Sequence, residues 1–275
     1  MGISPSSYHY KPRTMRIDQD LKLKERIEQI QLSYPYYGYR RLHFELLRRH
    51  GEIVNHKRLK RVMSRYGLYS VLKRKFTMAT TDSNHKFGVF PNLLKGRDLT
   101  AINQAWATDI TYIRVTRVHL FLAAILDVYS RKIVSWAIST SLDHKLCLAA
   151  LEGAVKTRRP GEGCIHHSDR GIQYCSKAYV ACLKKHGFEI SMSAKASPRE
   201  NAFIESFFKT LKYEEIYLKD YSDEDDVLHN VSNFIDEVYN KKRLHSGLGY
   251  MPPVEFEKKV SNQELKKRPV QKVRS

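Results

Sequence analysis

Three acidic residues lie in segments whose other residues are mostly apolar. Asp109 interrupts WATDITYI, Asp169 closes HHSD, and Glu205 lies within NAFIESFFKTLK. A carboxylate is costly to bury unless it is paired, hydrogen-bonded or bound to a metal ion. Each of these acids alone could cap a turn, which is the common role of Asp at the end of a strand. Three such acids in one chain favour a functional site instead.

The segment around Glu205 predicts an amphipathic helix. At about 100° per residue, Glu205 shares one side of this helix with Lys209 and Lys212. The apolar side consists of Phe203, Phe207 and Leu211. We expect the apolar side to pack on a sheet and the carboxylate to point away from it, as a metal ligand beside a phosphate backbone would. The alternative is an ordinary ion pair between Glu205 and Lys209 on a solvated surface.

The region that contains the two aspartates predicts a mixed α/β unit. Three antiparallel strands, rich in β-branched and aromatic residues, are predicted at residues 105–115, 118–128 and 132–140. Helices and short strands then alternate at residues 143–158, 164–167, 176–185 and 189–193, before the helix of Glu205. This order predicts the α/β fold class with a ribonuclease H-like sheet.

The first third of the chain predicts three short helices. They run from Asp18 or Asp20, as N-cap, to Pro35, from Tyr39 to His50, and from the N-cap Asn55 to about Tyr66. In the third helix, Arg58, Arg61 and Arg65 lie next to the apolar side. This pattern is typical of a helix-turn-helix-like module, although a generic bundle with a solvated face has the same pattern.

The net charge of +19 indicates a polyanionic partner, either nucleic acid or an anionic membrane surface. Residues 1–98 contain 21 Lys and Arg against 8 Asp and Glu, so most of the excess lies in the first third. No segment approaches the roughly 20 apolar residues of a membrane span. The first residues also lack the apolar core of a secretory signal, so we expect a cytoplasmic protein.

The cysteines indicate no metal site. They are Cys147, Cys164, Cys175 and Cys182, and they form no CxxC pair. In a reducing compartment we expect them to remain thiols in the core or at neutral positions. The first third contains no cysteine, which excludes a zinc site built there on two histidines and two cysteines.

The motifs around the three acids resemble a known family. The order Asp109, Asp169 and Glu205, with 35 residues between the last two, resembles the DDE transposases and retroviral-type integrases. Specifically, the chain resembles the second-frame protein of the insertion sequence 3 family of bacterial transposases. The motifs are WATDITYI, LDVYSRKIVSWAI, HHSDRGIQY, NAFIESFFKTLKYE and YNKKRLHSGLGYMPP, with YPYYGYRRL and VNHKRLKRVMSRYGL in the first third. Glu200 departs from the family, because many members carry Asp immediately before the residue that is Asn201 here.

This resemblance implies a ribonuclease H-like, integrase-type catalytic core preceded by a small all-α helix-turn-helix-like domain. The expected division is a DNA-binding region, a linker, the core, and a C-terminal helix with a basic tail that completes the core, at residues 1–76, 77–104, 105–217 and 218–275. By the family pattern Asp127 is not catalytic, and we expect it to orient Arg131 or cap the turn. We expect His166 and His167 to pack or to support Asp169.

The resemblance also implies the chemistry. Asp109, Asp169 and Glu205 would be catalytic and would bind Mg²⁺, with two ions expected and Mn²⁺ as an alternative, because hard oxygen ligands favour these ions over zinc. The reaction would be nicking at the 3′ end followed by strand transfer. Contacts to DNA are expected from Arg40, Arg41, Lys57, Arg58, Arg61, Arg65, Lys209 and Lys212.

The implied partners are the element's terminal inverted repeats, target DNA, further copies of the chain on DNA, and an upstream-frame protein or fusion, with no membrane. Two rival functions share many of these features. A ribonuclease H-like nuclease would hydrolyse DNA without joining it. A DNA-binding regulator with an inactive second domain would leave DNA intact, and the three acids argue against it.

Overall fold

The structure is a computed structural model that describes residues 13–71, 89–115, 119–194, 197–262 and 271–272. The chain divides into two compact units, Met1–Arg74 and Lys75–Ser275, called unit 1 and unit 2 below. Within the described residues, no helix combines the length and the apolar character that crossing a membrane requires.

The described part of unit 1 contains three helices. They are α1 (Arg13–Ser33), α2 (Tyr39–His50) and α3 (His56–Arg65). Gly51 ends α2 in the left-handed conformation, with φ of 63°, and Asn55 begins α3 by accepting a hydrogen bond from the Lys57 amide. The apolar sides of the helices meet in one core, which includes Ile27, Ile30, Leu42, Leu46, Leu59 and Val62. The predicted periodicity of α2 and α3 is therefore confirmed.

The predicted start of the first helix is wrong. Helix α1 begins at Arg13, so Asp18 and Asp20 lie within it and neither is an N-cap. Asp20 is buried, and its two carboxylate oxygens accept hydrogen bonds from Arg58 Nε at 3.0 Å and Arg61 Nη2 at 2.8 Å. These two guanidinium groups of α3 neutralise Asp20, which explains why a helix interior accommodates it.

Unit 2 is built on a five-stranded sheet. Its strands are β2 (Ala105–Arg114), β3 (His119–Asp127), β4 (Ile133–Ser139), β5 (Ile165–Ser168) and β6 (Glu189–Met192). The spatial order is β4-β3-β2-β5-β6, in which β2, β3 and β4 are antiparallel and β5 and β6 run parallel to β2. The three predicted antiparallel strands and the two later strands are confirmed.

Helices cover both faces of this sheet. Helices α4 (His144–Arg158) and α5 (Lys177–Lys185) pack on the face that carries Trp106 and Ile110. Helix α6 (Ala202–Glu214) packs on the other face, over Ala107 and Ile113. The structure thus confirms the predicted α/β class with a ribonuclease H-like sheet.

Part of the predicted linker packs on unit 2. Leu94 and Leu99 are buried in the core beneath α6, and the Leu93 amide donates to Ser191 Oγ at 2.8 Å. Asp98–Leu99 also forms strand β1, which pairs with β7 (Gln271–Lys272). Isolated leucines among turn residues give no periodicity, so the sequence did not indicate this packing. Residues 77–88 of the linker lie outside the described residues.

The chain after α6 forms several short helical segments where the sequence predicted one helix. They are a 3₁₀ turn (Ile216–Leu218), α7 (Glu224–Asn233), a π-helical turn (Phe234–Tyr239), a second 3₁₀ turn (Ser246–Leu248) and α8 (Pro253–Ser261). Arg243 in this segment forms a bidentate ion pair with Glu214 at the end of α6, at 2.6 Å for both bonds. Both side chains are buried. The C-terminal segment therefore fastens the end of α6.

We predict that Arg243→Ala destabilises unit 2 by about 3–5 kcal/mol, because it leaves the buried Glu214 carboxylate without its cation. The free energy of unfolding from urea titration measures this loss. Lys241→Ala is the matched control, since Lys241 pairs with Glu237 on the surface, and we expect it to leave the free energy of unfolding nearly unchanged. Equal losses in the two variants would contradict the prediction.

Candidate active site

Asp109 lies in the middle of β2, on the face covered by α6. It alternates with Ala107 and Ile113 of the core on that face, and it is paired in register with Ala124 of β3. The residue is partly buried, and its Oδ1 accepts a hydrogen bond from the Ile110 amide at 2.8 Å. The strand therefore holds this carboxylate rigidly between sheet and helix.

Asp169 immediately follows β5, the parallel neighbour of β2. The register pairs Trp106 with His166 and Ala107 with His167, and two further residues bring Asp169 level with Asp109. Neighbouring strands lie about 4.8 Å apart, so the two aspartates are close. Asp169 Oδ1 accepts from the Gly171 amide at 2.9 Å, and a Cβ at Gly171 would stand 3.0 Å from that same oxygen. Glycine at this position thus fits the turn that Asp169 caps.

Glu205 is presented by α6 from above the sheet. The buried side of α6 consists of Ile204, Phe207, Phe208 and Leu211, whereas Glu205 and Lys209 are exposed. The prediction that Glu205 points away from the packed side is therefore confirmed. Lys212 behaves differently, because it is half-buried and its Nζ lies 4.5 Å from the centre of the Tyr112 ring on β2. It turns toward the sheet and Asp109.

Asp169 and Glu205 lie close enough to Asp109 for their charges to change its pKa. Burial and the charge of Asp169, with a smaller effect from Glu205, raise the pKa of Asp109 well above its ordinary value, against the Ile110 amide and Lys212. Desolvation and then Asp169 also raise the pKa of Glu205, although the residue as a whole is exposed. Burial lowers the pKa of Lys212, and Asp109 counteracts this shift. The site thus concentrates negative charge beside one partly buried ammonium.

The three carboxylates are electrostatically coupled rather than tightly clustered. In the described part of the chain, no three His, Cys, Asp or Glu side chains are gathered as a complete metal-binding group. The sheet sets the carboxylates of Asp109 and Asp169 level, and a separate helix carries that of Glu205.

Asp127 has one of the two structural roles predicted for it, that of a turn cap, whereas the contact of Arg131 was not predicted. Asp127 is buried, and its carboxylate accepts from the Ser130 amide at 2.7 Å and the Asn103 amide at 2.6 Å, so it caps the turn after β3. The Arg131 guanidinium lies 3.7 Å from the centre of the Phe203 ring on α6. Burial lowers the pKa of Arg131 to about 10, and the group therefore stays cationic.

His166 and His167 pack inside unit 2, as predicted. His166 Nε2 lies 3.0 Å from the Tyr179 hydroxyl, and His167 Nδ1 lies 2.8 Å from Ser191 Oγ. Burial lowers the pKa of His166 to about 3 and that of His167 to about 4. Both imidazoles are therefore neutral near pH 7, and they support β5 from within the core.

The basic residues predicted in unit 1 fall into two groups. Arg58 and Arg61 bind Asp20, although Arg61 keeps 61% of its side chain exposed. Lys57 is exposed at the start of α3, and the remaining arginines lie over aromatic rings of their own unit, namely Arg40 on Tyr39, Arg41 on Tyr37 and Arg65 on Tyr66. Arg58 and Arg61 are therefore engaged by an acid of their own unit, whereas Lys57 is presented at the surface.

Two relevant residues were missed in the sequence. Lys60 Nζ lies 4.3 Å from the centre of the Tyr39 ring, which makes Tyr39 the centre of a basic and aromatic surface with Arg40. The interleaving of Tyr and Arg in YPYYGYRRL was the available signal. Asn201 was also missed, because only the fold shows that its side chain reaches β2.

Comparison with known sequences defines the class. Residues 100–198 and 186–253 match two families that are each described as an integrase core domain, and residues 18–76 match an HTH-like domain. Together with the sheet order, these matches make unit 2 an integrase-type polynucleotidyl transferase core. Among solved structures, the catalytic core domain of BIV integrase has a TM-score of 0.44 at 15% identity, covering 59% of this chain and 98% of that one.

The relatives identify the family. The insertion element IS600 31 kDa protein of Shigella sonnei is 38% identical, covering 94% of this chain and 96% of that protein. The transposase for IS904 of Lactococcus lactis is 34% identical, with coverage of 91% and 98%, and the transposase InsF for IS3A of Escherichia coli K12 is 39% identical, with coverage of 81% and 77%. The chain belongs to the insertion sequence 3 family of transposases, whose activity is DNA transposition.

We predict that His166 makes unit 2 sensitive to mild acid. Because its pKa falls from about 6.5 unfolded to about 3 folded, its stability contribution is fully present above the unfolded value and is lost as the pH falls toward the folded one. His166→Gln removes this titration. As the pH falls, the free energy of unfolding of the His166→Gln protein should therefore decrease less steeply than that of the wild type. The difference in slope is up to about 1.4 kcal/mol per pH unit.

Urea unfolding at about pH 6 and about pH 4 measures the two slopes. His229→Gln, which changes an exposed histidine of α7, serves as the control and should keep the wild-type slope. A His166→Gln protein with the wild-type slope would show that the buried imidazole does not titrate in this way.

Proposed function

We propose that Asp109, Asp169 and Glu205 are the catalytic residues of a DDE transposase that cuts and joins DNA strands of an insertion sequence. The observation that carries this proposal is their placement, because the register of two neighbouring strands sets Asp109 and Asp169 level and Glu205 lies on the helix that covers the face of Asp109. Burial and the charges of Asp169 and Glu205 raise the pKa of Asp109, and burial and Asp169 raise the pKa of Glu205. Perturbed carboxyl groups of this kind are concentrated at functional sites.

The three carboxylates fit divalent cations. Burial and the neighbouring negative charges disfavour the ionised forms of Asp109 and Glu205, and a bound cation would relieve both effects. The ligands are carboxylate oxygens alone, which suits Mg²⁺ or Mn²⁺, and two ions are proposed. When bound, these ions would activate an oxygen nucleophile and stabilise the charge that develops on the phosphate.

The chain's own residues hold the reacting strand. Lys212, which lies over Tyr112, and the exposed Lys209 place two cations on the side of α6 that carries Glu205. They would bind the phosphates that flank the scissile bond. Water then attacks the phosphorus at the element's end and the P–O3′ bond breaks, which frees a 3′-hydroxyl. That hydroxyl attacks a second phosphodiester, so each joining step forms one P–O bond and breaks one.

Unit 1 would recognise DNA. Its HTH-like match and its surface around Tyr39, with Arg40, Lys57 and Lys60, support residues 1–76 as the binding region for the terminal inverted repeats. Arg65 and Arg41 extend the basic character of this unit. Residues 105–217 would form the catalytic core, completed by residues 218–275. Assembly of several copies on DNA, and an upstream-frame partner, complete the proposal.

We predict that Asp109→Asn and Glu205→Gln each abolish nicking and strand transfer. Each substitution keeps the side-chain size and removes a charged ligand, so a loss of at least about 100-fold is expected. The measurement uses the full chain with labelled terminal-repeat DNA, a target plasmid and Mg²⁺ or Mn²⁺. Glu152→Gln on α4, an exposed acid on the opposite face of the sheet, is the control and should keep wild-type rates.

The products separate the rival functions. Joined DNA products that form with the wild type and are lost in Asp109→Asn and Glu205→Gln support the transposase. Nicks without joined products in the wild type would indicate a hydrolytic nuclease, and intact DNA under all metal conditions would indicate a regulator. Normal joining by Asp109→Asn would refute the proposed site.

We predict that Lys57→Gln and Lys60→Gln each reduce the salt dependence of DNA binding. Removing one phosphate contact should make the slope of log K against log salt less steep by about 0.9. Fluorescence anisotropy of labelled terminal-repeat DNA across a salt series measures the slope. Lys22→Gln, an exposed lysine of α1, is the control, and identical slopes in all three variants would contradict the proposed surface.

A further inference from the structure

The turn immediately before α6 is fastened to the strand of Asp109 by one side chain. Asn201 ends a 3₁₀ turn (Pro198–Asn201) and stands four residues before Glu205. Its Nδ2 donates to the backbone carbonyl of Thr108 at 3.1 Å, and Thr108 directly precedes Asp109. A single amide therefore links the elements that carry two of the three carboxylates.

Capping of the helix does not explain this asparagine. Asn at the start of a helix ordinarily accepts a hydrogen bond from an amide of the first turn. Asn201 stands at the N-cap position of α6 but makes no such bond. Its side chain is turned inward, only 4% of the residue is exposed, and its donor is used on the neighbouring strand.

The other end of the same amide is buried without a donor. Within the described residues, Asn201 Oδ1 has no hydrogen-bond partner. The amide cannot be reversed to remove this defect, because its oxygen would then face the Thr108 carbonyl. A buried acceptor without a donor is costly, and a fold that keeps one needs a reason.

Asn240 shows what a purely structural asparagine looks like in this chain. It is equally buried, at 4% exposed, and it uses both ends of its amide on one residue. Its Nδ2 donates to the Ile133 carbonyl and its Oδ1 accepts from the Ile133 amide, both at 3.0 Å. Asn240 thus fastens the start of β4 with both ends of its amide, whereas in the described residues the oxygen of Asn201 is buried without a donor.

The turn that carries Asn201 is further secured by its neighbour. Glu200 Oε2 accepts from the Ala194 amide at 2.6 Å, so the residue that departs from the family's usual Asp closes the connection from β6 to α6. The Ala194 amide is also the main cause of a lowered pKa at Glu200, which keeps that carboxylate ionised. With the backbone held in this way, the Asn201 amide has a fixed direction.

We propose that Asn201 is a positioning residue that couples the place of Glu205 to that of Asp109, and that its Oδ1 accepts a hydrogen bond from a water molecule when the site is loaded. This inference rests on the proposed function of the three carboxylates. It predicts that removal of the amide loosens the site without unfolding unit 2, because α6 keeps its apolar contacts and the Arg243–Glu214 pair.

The test measures Mn²⁺ binding to the full chain without DNA, by isothermal titration calorimetry, alongside thermal unfolding without metal. Asn201→Ala should weaken Mn²⁺ binding by about 10-fold or more, as loss of a group that orients ligands does. Asn240→Ala is the matched control and should lower the melting temperature while keeping wild-type Mn²⁺ affinity. Binding of DNA without metal should be unchanged in Asn201→Ala.

The outcomes distinguish the inference from the function it rests on. Wild-type Mn²⁺ affinity in Asn201→Ala, or an equal loss in Asn240→Ala, overturns the role of Asn201 alone. Unchanged Mn²⁺ binding in Asp109→Asn overturns the metal site itself, and the role of Asn201 with it. If Asn201→Ala does not fold, Asn201→Ser, whose short side chain cannot reach the Thr108 carbonyl, decides by the same criteria.

Discussion

Repulsion among the three carboxylates is the constraint that the rest of unit 2 has to meet. Two of them are held by the sheet, because the parallel register of β2 and β5 brings Asp109 and Asp169 level. The third belongs to α6, and within the described residues no backbone hydrogen bond joins this helix to the sheet. Its position therefore depends on side-chain contacts alone, and these have to outweigh the repulsion.

Four kinds of contact hold α6 in place. Its apolar side is buried against β2 and β3, its last turn is held by the buried pair of Glu214 with Arg243, and Tyr239 packs edge-on against Phe207 with ring centres 4.9 Å apart. The Arg131 guanidinium covers Phe203 near the other end. The integrase core match at residues 186–253 spans this helix and the segment that braces it, so the two belong together physically.

Much of this arrangement could be predicted from sequence, for local reasons. Strands of β-branched and aromatic residues and caps such as Asp143 act within a few residues, and the five strands and the first two helices of unit 2 were predicted to within one residue at each end. The exposed position of Glu205 followed from helical periodicity. Lys212 could not be placed in the same way, because its contact with Tyr112 depends on where α6 crosses the sheet. Asp20 resembled a cap for the same reason, since its arginine partners lie about forty residues later in the chain.

The sheet holds the two aspartates and α6 holds Glu205, and this difference in support affects how the site works. Sheet register is set by many backbone hydrogen bonds and is difficult to shift, whereas a helix held by side chains can tilt when one contact changes. The distance from Glu205 to the two aspartates is thus the adjustable dimension of the site. Contacts at both ends of α6 restrict that dimension, at Asn201 on the side of β2 and at Arg243 on the side of the C-terminal segment. If the proposed function holds, the same three carboxylates serve two different nucleophiles, and a centre with two acids held by the sheet and one held by a helix suits that requirement.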